Sequence, residues 1–348
     1  MSNDGLAETQ AREALERALF EVKRVIVGQE DMLERLLVAL LAGGHVLLEG
    51  VPGLAKTLTV NTLARALGGT FRRVQFTPDL VPSDLVGTRI LRPGMDGFDT
   101  ELGPVFTNVL LADEVNRAPA KVQSALLEVM QERQVSIGGQ TYPVPRPFLV
   151  LATQNPIESE GTYPLPEAQV DRFMFKLLLD YPSDGEEVAI VARSLDRPVD
   201  IARMIEPEQL EAFQAASRDV YVDGPVAEYA VRLVACTRRP AEFGLPELEE
   251  LVEFGASPRG SLNLVHAAQA LALLRGRHYA LPRDVGDLAR DILRHRLVLS
   301  YEALADGITA DAVLDRVLAA VQMPDIQLSR GELRELGRRS VLGDTAAA

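Results

Sequence analysis

Residues 45–67, HVLLEGVPGLAKTLTVNTLARAL, constrain the fold more than any other stretch: the apolar run His45–Glu49 enters a glycine-rich loop, Gly50–Thr57, that opens a helix over Thr57–Leu67. A strand passed through glycines into a helix N-terminus aims backbone amides at one point, where a phosphate is held. Lys56 would then reach β- and γ-phosphates, and the Thr57 hydroxyl would ligate Mg²⁺. Gly50, Val51, Pro52, Gly53, Leu54, Ala55, Lys56, Thr57 and Leu58 are therefore the candidate phosphate-binding residues. Ala55 stands where glycine normally precedes the lysine, and a helical φ in the first turn of the helix is expected for it. The plain alternative, a glycine-rich turn with an incidental lysine, fits this strand, loop and helix context poorly.

Around this unit the chain continues a βα series. Arg73–Phe76, Val109–Ala112, Phe148–Thr153 and Phe173–Leu178 are short and nearly continuous in apolar residues, as strands buried on both faces of a parallel sheet are. The expected fold is α/β, a doubly wound sheet with helices on both faces. Two stretches interrupt it as β-hairpin inserts: Thr88–Leu102 with a turn at Gly94–Gly97, and Gln134–Val144 turning at Gly138 and Gly139. Inserted hairpins on such a scaffold tend to face a partner or a pore. Leu15, Leu19, Val22 and Ile26 recur at helical spacing and predict an amphipathic helix over residues 6–25. Beyond Leu179 helices take over, beginning with a capping box of Ser183 and Glu186, and residues 186–330 read as all-helical. The expected division is a core of residues 1–180, a helical domain of residues 181–335 and a frayed tail of residues 336–348.

The strand Val109–Ala112 delivers Asp113 and Glu114 to the carboxyl edge of the sheet, where ligands bind in such folds. Alone, two acids after a strand are more often a solvated helix cap. Paired with the phosphate loop they read as a Walker B pair, with Asp113 holding Mg²⁺ through water and Glu114 orienting and deprotonating the attacking water. The strand Phe148–Thr153 brings Asn155 to the same edge, where it would bond the lytic water and the γ-phosphate; an Asn before Pro156 is otherwise a turn residue.

In order along the chain, GVPGLAKT, VLLADEVNRAP, ATQNP, GTYPLPEAQVDRFMF and SPRGSLNLVHAAQALALLRGR resemble the MoxR group of AAA+ ATPases over nearly the whole length. The resemblance implies a P-loop core with sheet order 5-1-4-3-2, a C-terminal helical lid, ATP hydrolysis, and assembly into a homo-oligomeric ring, commonly a hexamer. It implies that Asn155 is sensor 1 and that Arg172 is an arginine finger reaching a neighbour's nucleotide, although Arg172 could equally pair with a local acid such as Asp171. Arg259, at the start of a helix capped by Ser257 and Pro258, resembles sensor 2. Ile26, Val27 and Gly28 resemble the segment that contacts adenine, or form a loop packed on the core. Members of the group often act on protein clients with a partner that carries a von Willebrand factor A domain. A magnesium-chelatase-like subunit is the nearest relative in role.

The composition limits other readings. The 36 Lys and Arg residues stand against 50 Asp and Glu, a net charge of −14, which opposes a sequence-independent grip on nucleic acid. A nucleic-acid motor would need a basic loop, and Arg72, Arg73, Arg89 and Arg92 form the basic cluster nearest the first insert. The apolar stretch Leu36–Leu41 is far too short to span a bilayer, and Met1–Glu8 does not read as a secretory signal, so a cytoplasmic location is expected. The single cysteine, Cys236, reads as a buried thiol, and His45, His266, His278 and His295 share no ligand spacing.

Overall fold

A computed structural model describes residues 3–51, 54–91, 98–155, 161–195 and 199–325, with side chains from residue 11 onward. The chain forms two compact units, residues 16–211 and residues 1–15 with 212–348. The expected turn at Gly94–Gly97 and the tail of residues 336–348 lie outside the described residues.

Helix α1 (Asn3–Lys23) begins the chain, and α2 (Glu30–Ala42) follows it. Met32, Leu33 and Leu36–Leu41 of α2 are all buried, so this apolar stretch is a core helix. It ends at Gly43, whose φ of 71° lets its N–H reach Leu40 O at 3.2 Å while Gly44 N–H reaches Ala39 O at 2.8 Å. Then come β1 (Val46–Gly50), α3 (Lys56–Ala66), β2 (Phe71–Gln75), α4 (Pro82–Val86), β3 (Gly87–Leu91), β4 (Phe98–Leu102), β5 (Val109–Asp113) and α5 (Ala120–Glu132). The unit continues with β6 (Gln134–Ile137), β7 (Gln140–Pro143), β8 (Leu149–Gln154), α6 (Glu167–Val170), β9 (Phe175–Leu179) and α7 (Asp184–Leu195), and α8 (Pro207–Asp219) follows.

Five of these strands form one parallel sheet in the order β2-β5-β8-β1-β9. Numbered as the first to fifth strands of that sheet along the chain, they stand in the order 5-1-4-3-2. Because all five run parallel, Gly50, Gln75, Asp113, Gln154 and Leu179 end at one edge. β5 and β8, in the middle, are buried except at their last residues, Asp113 and Gln154, which emerge at that edge. Phe76, Phe148 and Phe173 pack with Leu110, Leu126 and Val150 on one side of the sheet. Truncating a residue such as Leu126 there costs about 2–5 kcal/mol. β2 starts at Phe71, two residues before its expected start, because its ladder with β5 runs from Phe71↔Val109 to Gln75↔Asp113.

Both hairpins are present. β3 pairs with β4 from Gly87↔Leu102 to Leu91↔Phe98, and β6 pairs with β7 around a two-residue turn in which Gly138 and Gly139 have φ of 58° and 84°. Two positive φ values in succession are what a twisted two-residue hairpin requires, and glycine adopts them without strain. Tyr142 on β7 donates to Thr100 Oγ1 on β4 at 3.1 Å, which ties the two inserts together. Ser183 N–H donates to Glu186 Oε2 at 2.8 Å at the start of α7, the expected capping box.

The other unit contains α9 (Gly224–Arg238), β10 (Val252–Phe254), α10 (Pro258–Leu274), α11 (Pro282–Leu293), β11 (Val298–Leu299), α12 (Tyr301–Ala305) and α13 (Ala310–Ala320). The all-helical expectation for this region fails at β10 and β11, which pair antiparallel, and at a bridge between Tyr221 and Tyr279. Strands of three and two residues are too short to show an alternating pattern. α10 packs closely through Gly260, where an added Cβ would come within 3.0 Å of Leu293 and 3.2 Å of Val234. The fully buried Asp284 accepts from Arg277 at 2.6 and 2.7 Å and from Leu281 N–H at 2.8 Å. A buried carboxylate needs such partners. Cys236 is buried, and burial pushes its thiol up to about 11. Among the described residues no helix is long and apolar enough to cross a membrane.

Candidate active site

The candidate phosphate loop leaves β1 at Gly50, which pairs with Leu179 of β9; a Cβ at Gly50 would stand 2.8 Å from Leu179 O. Only glycine allows that approach. Val51 is half-buried, Leu54 is buried, and Pro52 and Gly53 lie outside the described residues. Ala55 has φ 52° and ψ 22°, which overturns the helical φ expected for it. Ala55 is the left-handed residue just before α3, in the conformation a glycine would take freely, at a cost of about 1–2 kcal/mol for an L-residue. Lys56 Nζ donates to Gly50 O at 2.6 Å. Burial lowers its pKa, and the carboxylates of Asp113, Glu114 and Glu49 pull it back up. Thr57 is half-buried in the first turn of α3, and Leu58 is 49% exposed.

The carboxylates form a tied shelf beside this loop. Thr153 Oγ1, near the end of β8, donates to Asp113 Oδ1 at 2.5 Å and accepts from Glu114 N–H at 2.9 Å. From the other side, Arg73 of β2 donates to Asp113 Oδ2 through Nη2 at 2.6 Å and Nε at 3.1 Å. Gln75 Nε2 donates to Glu114 Oε2 at 2.8 Å, and Arg117 Nε lies 2.7 Å from the same oxygen. The register Gln75↔Asp113 explains this: Arg73 and Gln75, two apart on β2, share the face that presents Asp113. Asn155 follows β8 at the same edge, between β5 and β1, and is half-buried.

The donor set fits Mg²⁺. A hydroxyl at Thr57 and a carboxylate at Asp113 are hard oxygen ligands of the kind Mg²⁺ takes. Among the described residues no cluster of three or more metal-ligating side chains exists. Two protein ligands suit a cation that takes its remaining oxygens from phosphate and water.

Next to the loop is a cleft of about 180 Å³ lined by Val27, Gln29, Met32, Leu179, Tyr181 and Glu186 among others. Gln29 Nε2 donates to Leu54 O at 3.2 Å, which ties this wall to the phosphate loop. Gly28, with φ 66°, leaves room for Glu186, whose Oε1 would lie 2.1 Å from any Cβ. Val27 faces the cleft, while Ile26 is buried. Arg172, after α6, is half-buried and donates through Nη1 to Leu127 O of α5 at 3.1 Å; its buried Nε has no hydrogen-bond partner among the described residues. Arg259 is exposed in the first turn of α10, where its N–H donates to Ser257 Oγ at 3.2 Å.

Residues 45–175 match the ATPase family associated with various cellular activities (AAA), and residues 248–317 match the AAA lid domain. Over 324 residues, 92% of this chain and 86% of the other, the sequence is 58% identical to Chaperone MoxR1 of Mycobacterium tuberculosis. The chain belongs to the MoxR group of AAA+ ATPases. Protein MoxR of Methylorubrum extorquens is 34% identical over 325 residues, 88% of this chain and 94% of that one. A crystal structure of a Cytophaga hutchinsonii chain superposes with a TM-score of 0.87 at 47% identity, covering 92% of this chain and 97% of its own. This MoxR-group chain is thus a nucleotide-binding, ATP-hydrolysing enzyme with the AAA+ core and lid.

The contacts that four polar residues of this MoxR-group shelf, Arg73, Gln75, Thr153 and Arg117, make with the carboxylates escaped the sequence reading. For Arg73, Gln75 and Thr153 the signal is the adjacency of β2, β5 and β8, which no local pattern announces, while Arg117 lies only three residues after Glu114. Of the four arginines near the first insert that a nucleic-acid motor would use, two have partners within the chain: Arg73 is paired with Asp113, and Arg89 lies 5.0 Å over the Phe98 ring. Arg92 lies outside the described residues.

Proposed function

We propose that this MoxR-group ATPase works as a homo-oligomeric ring, a hexamer, in the cytoplasm and uses ATP hydrolysis to remodel or mature protein clients with a partner bearing a von Willebrand factor A domain. The observation that carries the catalytic part is the convergence of Lys56, Asp113 and Glu114 at one sheet edge, close enough for all three charges to be coupled. The backbone of Gly50–Thr57 and Lys56 would hold the β- and γ-phosphates. Val27, Gly28 and Gln29 would form the wall that meets adenine. Thr57 and Asp113 would hold Mg²⁺, which supplies positive charge against the phosphates. Glu114 would take the proton of the attacking water, with Asn155 orienting that water against the γ-phosphate. Arg172 is assigned to a neighbour's nucleotide and Arg259 to the γ-phosphate. The likeness to a protein named a chaperone supports the client reading.

The test is Mg²⁺-dependent ATP turnover per subunit as a function of protein concentration, with Glu114→Gln alongside. Specific activity should rise with concentration to a plateau. Glu114→Gln should bind nucleotide as the parent does while turning over about 10²–10⁴-fold more slowly. Undiminished turnover in Glu114→Gln would remove Glu114 as the base, and activity proportional to dose alone over the whole range would count against sites completed by assembly.

A further inference from the structure

We propose that Arg73 is a positioning residue that competes with Mg²⁺ for Asp113 and so sets how much divalent cation the site needs to hold nucleotide. The inference rests on the reading of Asp113 as a Mg²⁺ ligand. Asp113 has both carboxylate oxygens engaged. Oδ1 takes the Thr153 hydroxyl at 2.5 Å, and Oδ2 takes two Arg73 nitrogens at 2.6 and 3.1 Å.

The two bonds differ in kind. Thr153 is neutral and buried, it also holds Glu114 N–H, and it orients the carboxylate without changing its charge. Arg73 brings a full positive charge to Asp113. Any cation that meets Asp113 or its water shell must approach that guanidinium, and like charges a few ångströms apart repel even where solvent screens them. While Arg73 stays, the aspartate offers a cation little net attraction.

Exchange is cheap from the arginine's side. β2 is an edge strand, and the Arg73 side chain is 46% exposed against 19% for Asp113. A second acceptor is already in place, since Arg73 Nη2 donates to Gln75 Oε1 at 2.8 Å. A guanidinium with one foot in water and another partner on its own strand gives up a half-exposed ion pair at small cost. The pair therefore acts as a competitor for Asp113 and not as a permanent brace.

The experiment measures binding, not turnover: anisotropy of a fluorescent, non-hydrolysable ATP analogue titrated with Mg²⁺. Arg73→Gln should lower the half-saturating Mg²⁺ concentration about fivefold. Binding in excess EDTA should stay within about twofold of the parent, because only the metal-dependent part is altered. Arg73→Met, which removes the charge and keeps the length, should shift it in the same direction, and Arg73→Lys should stay near the parent. Asp113→Asn should raise the requirement, and Arg73→Gln should add nothing in its background. If Asp113→Asn shifts the Mg²⁺ requirement while Arg73→Gln and Arg73→Met leave it unchanged or raise it, the competition is wrong. If Asp113→Asn leaves it unchanged, the reading of Asp113 fails and the competition fails with it.

Discussion

Lys56 donates its ammonium to the carbonyl of Gly50 at 2.6 Å, across the loop that both residues bound. Between them runs the segment proposed to hold phosphate, and the carboxylates of Asp113, Glu114 and Glu49 hold the charge on Lys56 against the cost of burial. Exchanging one carbonyl for phosphate oxygens gives Lys56 charge-assisted bonds worth about 1.5–3 kcal/mol each. Lys56→Ala should therefore weaken nucleotide binding on the order of 10²-fold or more by calorimetry. Binding within tenfold of the parent would take Lys56 out of the phosphate site.

Among the described residues of this loop, Ala55 is the strained one. With φ 52° it occupies a conformation that costs an L-residue about 1–2 kcal/mol, of which the greater flexibility of glycine in the unfolded chain cancels about 0.4–1 kcal/mol. Ala55→Gly should raise stability by about 0.5–1 kcal/mol, read from the urea midpoint without nucleotide. Gly50→Ala should lower it, because the new Cβ meets Leu179 O at 2.8 Å. A lower midpoint for Ala55→Gly would mean that the methyl group contributes packing that outweighs its backbone strain.

His45, just ahead of β1, makes the fold sensitive to acid. Its Nδ1 accepts Val150 N–H at 3.0 Å, and its Nε2 lies 3.1 Å from Met130 O, so the neutral ring has both nitrogens in use. Burial, and then the charge of Arg133, lower its pKa from 6.5 to about 3, with the Met130 bond opposing. Between those values the unfolded chain binds a proton that the folded one refuses. Stability should fall as pH falls from 6.5 toward about 3, by up to about 1.4 kcal/mol per pH unit, and this effect vanishes above 6.5. His45→Gln, which keeps a donor and an acceptor, should show a shallower fall in denaturant midpoint. Equal slopes would assign the acid sensitivity to other groups.

What could be read from the sequence was what is contiguous in it. The phosphate loop, the Asp113–Glu114 pair and the Gly138–Gly139 hairpin each lie within a few residues, and local chemistry alone dictates them. The pairing of Arg73 and Gln75 with the carboxylates was invisible because their partners lie 39 or 40 residues away and meet them only once β2 lies beside β5. The φ of Ala55 was misread for a different reason. The local rule for alanine is sound, and the loop breaks it at the turn into α3, in the segment proposed to hold phosphate, as strained residues at functional sites do. The short strands β10 and β11 carry too few residues for any periodic signal.

Arg172 is proposed to serve a neighbour's nucleotide. It is half-buried, held through Nη1 by Leu127 O, with Nε unpartnered among the described residues, so moving it breaks one bond and frees a buried donor that lacks an acceptor. If it serves a neighbour's nucleotide, Arg172→Ala should bind nucleotide normally and lose hydrolysis about 10³-fold or more. Mixed with Lys56→Ala, it should regain activity, because a site with an intact Lys56 can then face a neighbour with an intact Arg172. Random mixing in equal amounts leaves about a quarter of the interfaces whole, so turnover should approach about a quarter of the parent value. Mixing at several ratios and plotting turnover against composition separates the cases. A curve that peaks near equal mixing supports an arginine acting between subunits, and a flat baseline at every ratio would assign Arg172 to its own chain.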